Sequence, residues 1–217
     1  MSLTLTVSDI WKSYKGIPVL KGCSFSFDAG ATYAVMGANG SGKSTFLRIC
    51  ALIENPAKGE VHYFYNSSAV KNDIELRRRV TLVLPGIGIF NTTALSNVTY
   101  GLKIRGIKKS EAIKRASEAL EFVGLFQKRN QNALTLSSGE AQRLGIARAV
   151  VIEPEILFLD EPTSSIDEKN TEIVEDIIFK MKQQRGTTII LTTHDNSQAE
   201  RLAEKTLFIR EGCFISR

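Results

Sequence analysis

A chain of 217 residues and 24.0 kDa, 43% hydrophobic and 24% charged, can bury a full core as one soluble domain with a lobe attached. The net charge of +5 and pI near 9.1 allow an acidic partner without selecting one. No apolar stretch reaches the roughly 18–20 residues that span a bilayer, and MSLTLTVSDIWKSYKG has neither the basic start nor the apolar run of a secretory signal, so a cytosolic chain is expected. Cys23, Cys50 and Cys213 show no close pairing and no metal spacing, and they read as plain reduced residues.

In chain order, ATYAVMG at 31–37 reads as a short buried strand and KSTFLRICALI at 43–53 as the helix that follows a glycine-rich turn. Strand, turn, helix opens a parallel α/β unit. Further core strands are expected at RVTLVL (79–84), EILFLD (155–160) and TTIILTT (187–193), each apolar enough to be covered on both faces. SEAIKRASEALEFVG is helical instead, with Ile113, Ala116, Ala119, Leu120 and Val123 on one stripe and a stop at Gly124. Residues 88–150 therefore read as a helical subdomain inserted into a nucleotide-binding core formed by 1–87 and 151–217. The tail TLFIREGCFISR alternates around Glu211–Gly212 as an edge hairpin. The densest basic run, KIRGIKKSEAIKR, contains no aromatic residue to stack a base and reads as a solvated helix face, which disfavours nucleic acid.

The chemistry begins at GANGSGKST, a full G-x-x-x-x-G-K-[ST] match between a strand and a helix. Gly37, Gly40 and Gly42 let the backbone of Ala38, Asn39 and Ser41 wrap around phosphate oxygens, with Thr45 in the first helical turn. Lys43 is placed to bridge the terminal phosphates and Ser44 to offer its hydroxyl to Mg²⁺. In ILFLDEP, Asp160 at the strand end can reach the magnesium shell and Glu161 can polarise an attacking water. His194 in TTHD, after another core strand, can touch the γ-phosphate from the same end of the sheet. A second anion-binding helix start is expected where Ser137, Ser138 and Gly139 open the segment LTLSSGEAQRLGIARAV.

At this point the chain resembles the ATP-binding cassette family. The phosphate loop, the signature LSSGE with Glu140 as its last residue, LFLDE, SSID at 164–167 as D-loop and TTHD as switch histidine occur in the family's order over nearly the whole chain. The resemblance implies a P-loop α/β core with a mostly parallel sheet, antiparallel edge strands and an inserted helical subdomain, and an ATP- and Mg²⁺-dependent hydrolase. It also implies a head-to-tail homodimer in which each ATP lies between one chain's phosphate loop and the other chain's signature. Tyr14 matches the adenine-stacking aromatic of the first strand, and neighbouring Trp11 reads as core.

The family places a glutamine at the end of the strand VTLVL, at the joint between core and lobe, and alignment puts Pro85 there. Proline has no amide to offer and fixes φ near −65°, although Gly86 and Gly88 follow it, and no glutamine lies close by in sequence. A short single cassette implies a separate transporter subunit on the cytoplasmic face of the membrane, meeting a permease's coupling helix beside residues 85–105. The wording FNTTALSNVTYGLKIRG is most similar to importers of small anions, the tungstate type in particular, which work with a separate substrate-binding protein. The alternatives are a cassette of another membrane system, such as lipoprotein release or cell division, or a weakly hydrolysing regulatory cassette, motivated by Pro85.

Overall fold

The computed structural model describes residues 3–86, 88–164 and 166–215. In chain order the elements are β1 (Thr4–Tyr14), β2 (Ile17–Phe27), β3 (Thr32–Met36), α1 (Lys43–Cys50), β4 (Lys58–Tyr65), β5 (Ser68–Val70), α2 (Ile74–Arg79) and β6 (Val80–Val83). They continue with α3 (Ala94–Ile104), α4 (Lys109–Phe122), α5 (Ser138–Val150), β7 (Ile156–Asp160), α6 (Glu168–Arg185), β8 (Thr188–Thr193), α7 (Asn196–Leu202), β9 (Lys205–Arg210) and β10 (Cys213–Ile215). These form two compact units, one from residues 3–82, 155–161 and 181–215, the other from 83–154 and 162–180.

The first unit holds two sheets. A six-stranded sheet runs β10-β9-β3-β8-β7-β6, with β3 parallel to both β8 and β9, β7 parallel to β8, and β10 antiparallel at one edge. Every residue of β3, β7 and β8 is buried, as expected of parallel strands covered on both faces. The β9–β10 pair is the expected edge hairpin. The α/β fold with a mostly parallel sheet is thus established.

A separate four-stranded antiparallel sheet, β2-β1-β4-β5, was not legible in the sequence. Its strand β1 is irregular: the register slips between Ser8 and Trp11, and Asp9 takes a φ of 51°. This bulge re-aims the following side chains. Trp11, expected in the core, is consequently 40% exposed, and its indole Nε1 donates to Asp9 Oδ1 at 2.7 Å. The core that the sheets enclose contains Phe27, Tyr33 and Phe46, with the Phe27 and Tyr33 rings edge to face at 4.9 Å. Cys23 and Cys50 are buried free thiols; burial pushes Cys23 up to about 11 and Cys50 well above its ordinary value, so neither is reactive at neutral pH.

β6 ends at Val83, one residue before the expected end, and Leu84 is 38% exposed. Pro85 explains the early stop, since it has no N–H for the ladder and disfavours continuation. In the second unit, α4 buries Ala112, Ala116, Ala119 and Leu120, whereas Ile113, expected on that stripe, is 39% exposed. Ala112 takes the place of Ile113 at the start of that stripe, while Ala116, Ala119, Leu120 and Val123 are buried as expected. Among the described residues no helix is long and apolar enough to cross a membrane.

Candidate functional site

The phosphate loop leads from β3 into α1 through Gly42, the N-cap, whose φ of 107° suits glycine. A Cβ there would lie 2.8 Å from Leu20 Cδ2 and 2.9 Å from the Val19 carbonyl, so the close approach of β2 also demands glycine. No side chain caps α1, no acid sits in its first turn, and its first backbone bond runs from Phe46 N to Gly42 O. The N–H groups of Lys43, Ser44 and Thr45 therefore have no partner within the helix and stand at its positive end. Lys43 is 4% exposed, and its Nζ donates to the carbonyls of Gly37 (2.8 Å) and Ala38 (3.2 Å). Ser41 Oγ is buried without a hydrogen-bond partner beside it. An unpaired hydroxyl, unused N–H groups and a buried ammonium form a site built for an anion.

Asp160 ends β7, 2% exposed, and its Oδ1 accepts from Ser44 Oγ at 2.9 Å and from Thr192 Oγ1 at 2.7 Å. The strand register sets Thr192 opposite Asp160, so the parallel pairing of β7 and β8 makes this contact. Thr192 Oγ1 also accepts from the backbone N–H of Glu161 at 2.9 Å. Glu161 takes φ 46°, a left-handed conformation that costs a non-glycine residue about 1 kcal/mol or more and is typical of functional sites. It brings Glu161 Oε1 to 3.7 Å from Lys43 Nζ and 3.9 Å from His194 Nδ1. Lys43, Ser44, Asp160, Glu161 and His194 thus converge at one end of the six-stranded sheet. Thr192 was missed in the sequence; its only signal is a hydroxyl inside the apolar strand TIILTT.

Tyr14 ends β1 with its ring 40% exposed. Its hydroxyl donates to Glu54 Oε1 at 2.6 Å, and Lys12 Nζ lies 5.5 Å from the ring centroid. Glu54 pairs with Lys12 (2.8 Å) and Arg48 Nε (3.5 Å), and Arg48 reaches Thr45 Oγ1 at 3.4 Å. This chain of polar contacts links the exposed ring to the first turn of α1. Partial burial of Glu54 disfavours its charge, but hydrogen bonds from Lys12 and Tyr14 outweigh that and hold its carboxyl below the usual range. No sequence spacing announces Glu54, because it acts across 40 residues.

In the second unit, α5 starts behind Ser137 with a complete capping box: Ser137 Oγ accepts from Glu140 N at 3.3 Å, and Glu140 Oε2 accepts from Ser137 N at 3.1 Å. Lys128 Nζ holds the other carboxylate oxygen at 2.5 Å. That ammonium, against the opposing effect of burial, keeps the Glu140 carboxyl below the usual range. A Cβ on Gly139 would collide with the Asn170 amide, which in turn bonds Arg143 and Asp167 (2.8 Å to Oδ2). Gly139 is therefore required by packing against α6 in addition to any approach of a ligand. Ser165, in SSID, lies outside the described residues.

Pro85 is exposed beside a cavity of about 270 Å³, shared with Gly86, Ser138, Ala141, Gln142, Ser164 and Ile166. Gln142 is 9% exposed, and its Nε2 has no hydrogen-bond partner. Gln142 thus lines the cavity beside Pro85, brought there by α5 from 57 positions away. After the proline, Asn97 clamps Phe90 through both backbone groups (2.9 and 3.1 Å), and Arg148 binds the Gly88 carbonyl at 2.6 Å.

Comparison with known proteins adds the decisive observation: a family model of the ABC transporter matches residues 20–164, from within β2 to the first residue of SSID. The chain belongs to the ABC transporter family. This cassette is 35% identical over 210 residues to the tungstate uptake system ATP-binding protein TupC of Peptoclostridium acidaminophilum, with 97% of this chain and 96% of the relative covered. It is 34% identical to the phosphate import ATP-binding protein PstB 2 of Natronomonas pharaonis, over 97% of this chain and 78% of the relative. A dimeric structure of the ABC transporter cassette MJ0796 superposes with a TM-score of 0.88 at 29% identity, covering 98% of this chain and 97% of that one. The same cassette bound to ADP and Pi gives a TM-score of 0.87, again at 29% identity. The cassette binds ATP and hydrolyses it.

The donor set of the cassette also suits a magnesium ion. Ser44 Oγ and Asp160 Oδ1 are 2.9 Å apart, and no cluster of three or more His, Cys, Asp or Glu occurs among the described residues. Two oxygen donors without a full protein cage fit a hard cation that keeps water and phosphate oxygens in its shell.

Proposed function

We propose that this cassette is the energy-coupling subunit of an importer for a small oxyanion of the tungstate type. The observation that carries the reading is end-to-end similarity to a tungstate uptake subunit, 97% and 96% of the two chains, with a phosphate import subunit also among the relatives. Amino-acid and Fe(3+) import subunits match nearly as well, at 35% and 33% identity, which makes the cargo the part to test.

In this reading Gly37 to Thr45 cradle the triphosphate, Lys43 neutralises its terminal charge, and Tyr14 stacks the adenine. Ser44 and Asp160 hold Mg²⁺, which supplies charge neutralisation on the phosphates. Glu161 takes a proton from water as the water oxygen bonds the γ-phosphorus and the bond to the bridging oxygen breaks, releasing ADP. His194 positions the γ-phosphate. Ser137, Ser138, Gly139 and Glu140 meet the γ-phosphate of ATP held by a second copy, so the active form is a two-fold dimer. The dimer sits peripherally on the cytoplasmic face, where a permease's coupling helix meets the unit that contains residues 85–105 and a separate binding protein delivers cargo.

The test is ATPase activity of the cassette with its permease in vesicles, presented with binding protein loaded with tungstate, phosphate or an amino acid. Stimulation by tungstate above the others supports the reading; stimulation by the amino acid alone overturns the cargo. A second reading, a cassette of weak coupling, is favoured by Pro85. It predicts basal hydrolysis that loaded binding protein does not raise.

A further inference from the structure

The start of α5 presents a conflict of charge. A helix N-terminus attracts an anion through its unused N–H groups and positive dipole end. Here the site is already served by the chain itself: the Ser137 hydroxyl accepts from Glu140 N, Ser137 N donates to the Glu140 carboxylate, and a formal negative charge stands in the first turn. A phosphate arriving at Ser137–Glu140 would meet that carboxylate as a like charge. The carboxylate is not left bare, however. Its two oxygens are divided between two donors, Oε2 to the backbone of Ser137 at 3.1 Å and Oε1 to Lys128 Nζ at 2.5 Å.

The position of Lys128 is built rather than incidental. It closes a short 3-10 turn, Phe126–Lys128, anchored by the buried Leu125, whose N–H bonds the Leu120 carbonyl at 2.7 Å. Lys128 N bonds Leu125 O at 2.9 Å, and the Lys128 carbonyl accepts from Gln131 N at 2.9 Å. Arg129 is drawn aside, its guanidinium stacked 4.2 Å from the Phe126 ring centroid, so Lys128 is the cation in direct contact with Glu140, while Arg143 on α5 adds a smaller favourable charge without a direct bond. The lysine side chain is 42% exposed, and an ion pair so exposed contributes little to folding stability. Its consequence is local: it offsets the charge of Glu140 at the start of α5.

We propose that Lys128 is a positioning residue for ATP engagement, compensating Glu140 so that the start of α5 accepts the γ-phosphate of a nucleotide bound by a second copy of this chain. The proposal rests on the reading that Ser137–Glu140 meets that nucleotide across the dimer. It predicts that the requirement for Lys128 exists only while residue 140 carries a charge.

The experiment compares wild type, Lys128→Met, Glu140→Gln and the double variant, with Ser137→Arg as a control on the dimer reading. Three quantities are read: steady-state ATPase, ATP-dependent dimerisation by light scattering in the Glu161→Gln background, and binding of a fluorescent ATP analogue to the monomer. Lys128→Met is expected to raise the MgATP concentration for half-maximal dimerisation and hydrolysis roughly 3- to 5-fold, the upper part of the typical effect of one charge at a helix start. Monomer binding and melting temperature should stay unchanged, and the defect should shrink at high salt through screening. Adding Glu140→Gln to Lys128→Met should restore both half-maxima to within about twofold of those of Glu140→Gln alone. If Lys128→Met dimerises and hydrolyses as wild type while Ser137→Arg is inactive, the Lys128 role fails and the dimer reading stands. A double variant as defective as Lys128→Met also overturns the proposal, because the lysine would then act through the fold and not through the charge of Glu140. Full hydrolysis by Ser137→Arg would remove the dimer reading and this proposal together.

Discussion

Helix α1 starts behind a glycine with φ 107°, no capping side chain and no acid in its first turn, whereas α5 starts behind a serine–glutamate box that satisfies the N–H groups of Ser137 and Glu140. Both are helix starts of the kind that bind phosphate, yet the first leaves its whole first turn of donors without an internal partner, whereas the second has one of its first-turn N–H groups, that of Glu140, taken by the Ser137 hydroxyl. Glycine capping gives up roughly the 0.5–2 kcal/mol that a Ser, Thr, Asp or Asn cap typically supplies over alanine only in small part, since glycine ranks just behind them. What α1 gains is room, because a bare N-terminus can surround a multiply charged ligand. What α5 gains is a helix start that is stable by itself, so ligand contacts there compete with internal ones. The difference fits a tight site that works within one chain and a conditional site that works when a second chain arrives.

The largest test of this comparison is Glu161→Gln. Removing the carboxylate should slow hydrolysis about 10²- to 10⁴-fold, the usual share of a general base, while ATP still binds at α1. Phosphate release and light scattering should then show a long-lived ATP-bound dimer; fast turnover, or a strict monomer in saturating MgATP, would break the assignment of one site to each helix start. Next is Lys43→Ala, which deletes a buried cation that bonds the carbonyls of Gly37 and Ala38. Nucleotide affinity of the single chain should fall on the order of 100-fold, about the 1.5–3 kcal/mol of charged hydrogen bonds, as read by isothermal titration. Loss at Ser137→Arg as severe as at Lys43→Ala would mean that both helix starts serve the same nucleotide.

Gly139→Ala sharpens the comparison on the α5 side. The added methyl meets the Asn170 amide, so the variant should lose about 1–3 kcal/mol by overpacking, offset in part by up to about 1 kcal/mol of helix propensity. Thermal melting would show the loss, and Asn170→Ala in the same chain should recover part of it; an unchanged melting temperature would make Gly139 a matter of ligand approach alone. The smallest expected effect is Pro85→Gln. Its new amide would stand beside a cavity that Gln142 already lines, and hydrolysis should be at least as fast as in wild type. Stability should fall by about 0.4–1 kcal/mol through the freer unfolded chain. Slower hydrolysis at an unchanged melting temperature would make the proline a working part of the site.

Much of the first site was legible in sequence because its parts are contiguous. The loop Gly37–Thr45, the strand end at Asp160 and Glu161, and His194 each follow a buried strand, and parallel strands present their C-terminal ends together. Thr192 and Glu54 were not legible, since a hydroxyl in a strand and an acid in a loop have many bland uses. Only the β7–β8 register gives Thr192 its place against Asp160, and only the bend of the chain after α1 brings Glu54 to Tyr14.

The sequence by itself determined the nucleotide chemistry, the parallel core and the identity of each helix start, because those follow from local residue types and from apolar runs too continuous to face water. The tertiary structure alone decided which groups meet across long separations: Lys128 with Glu140, Gly139 with Asn170, and Gln142 with the cavity at Pro85. Such contacts depend on how helices pack and turn about their axes. The start of α4 is an instance, where Ala112 and not Ile113 joins Ala116, Ala119 and Leu120 on the buried face.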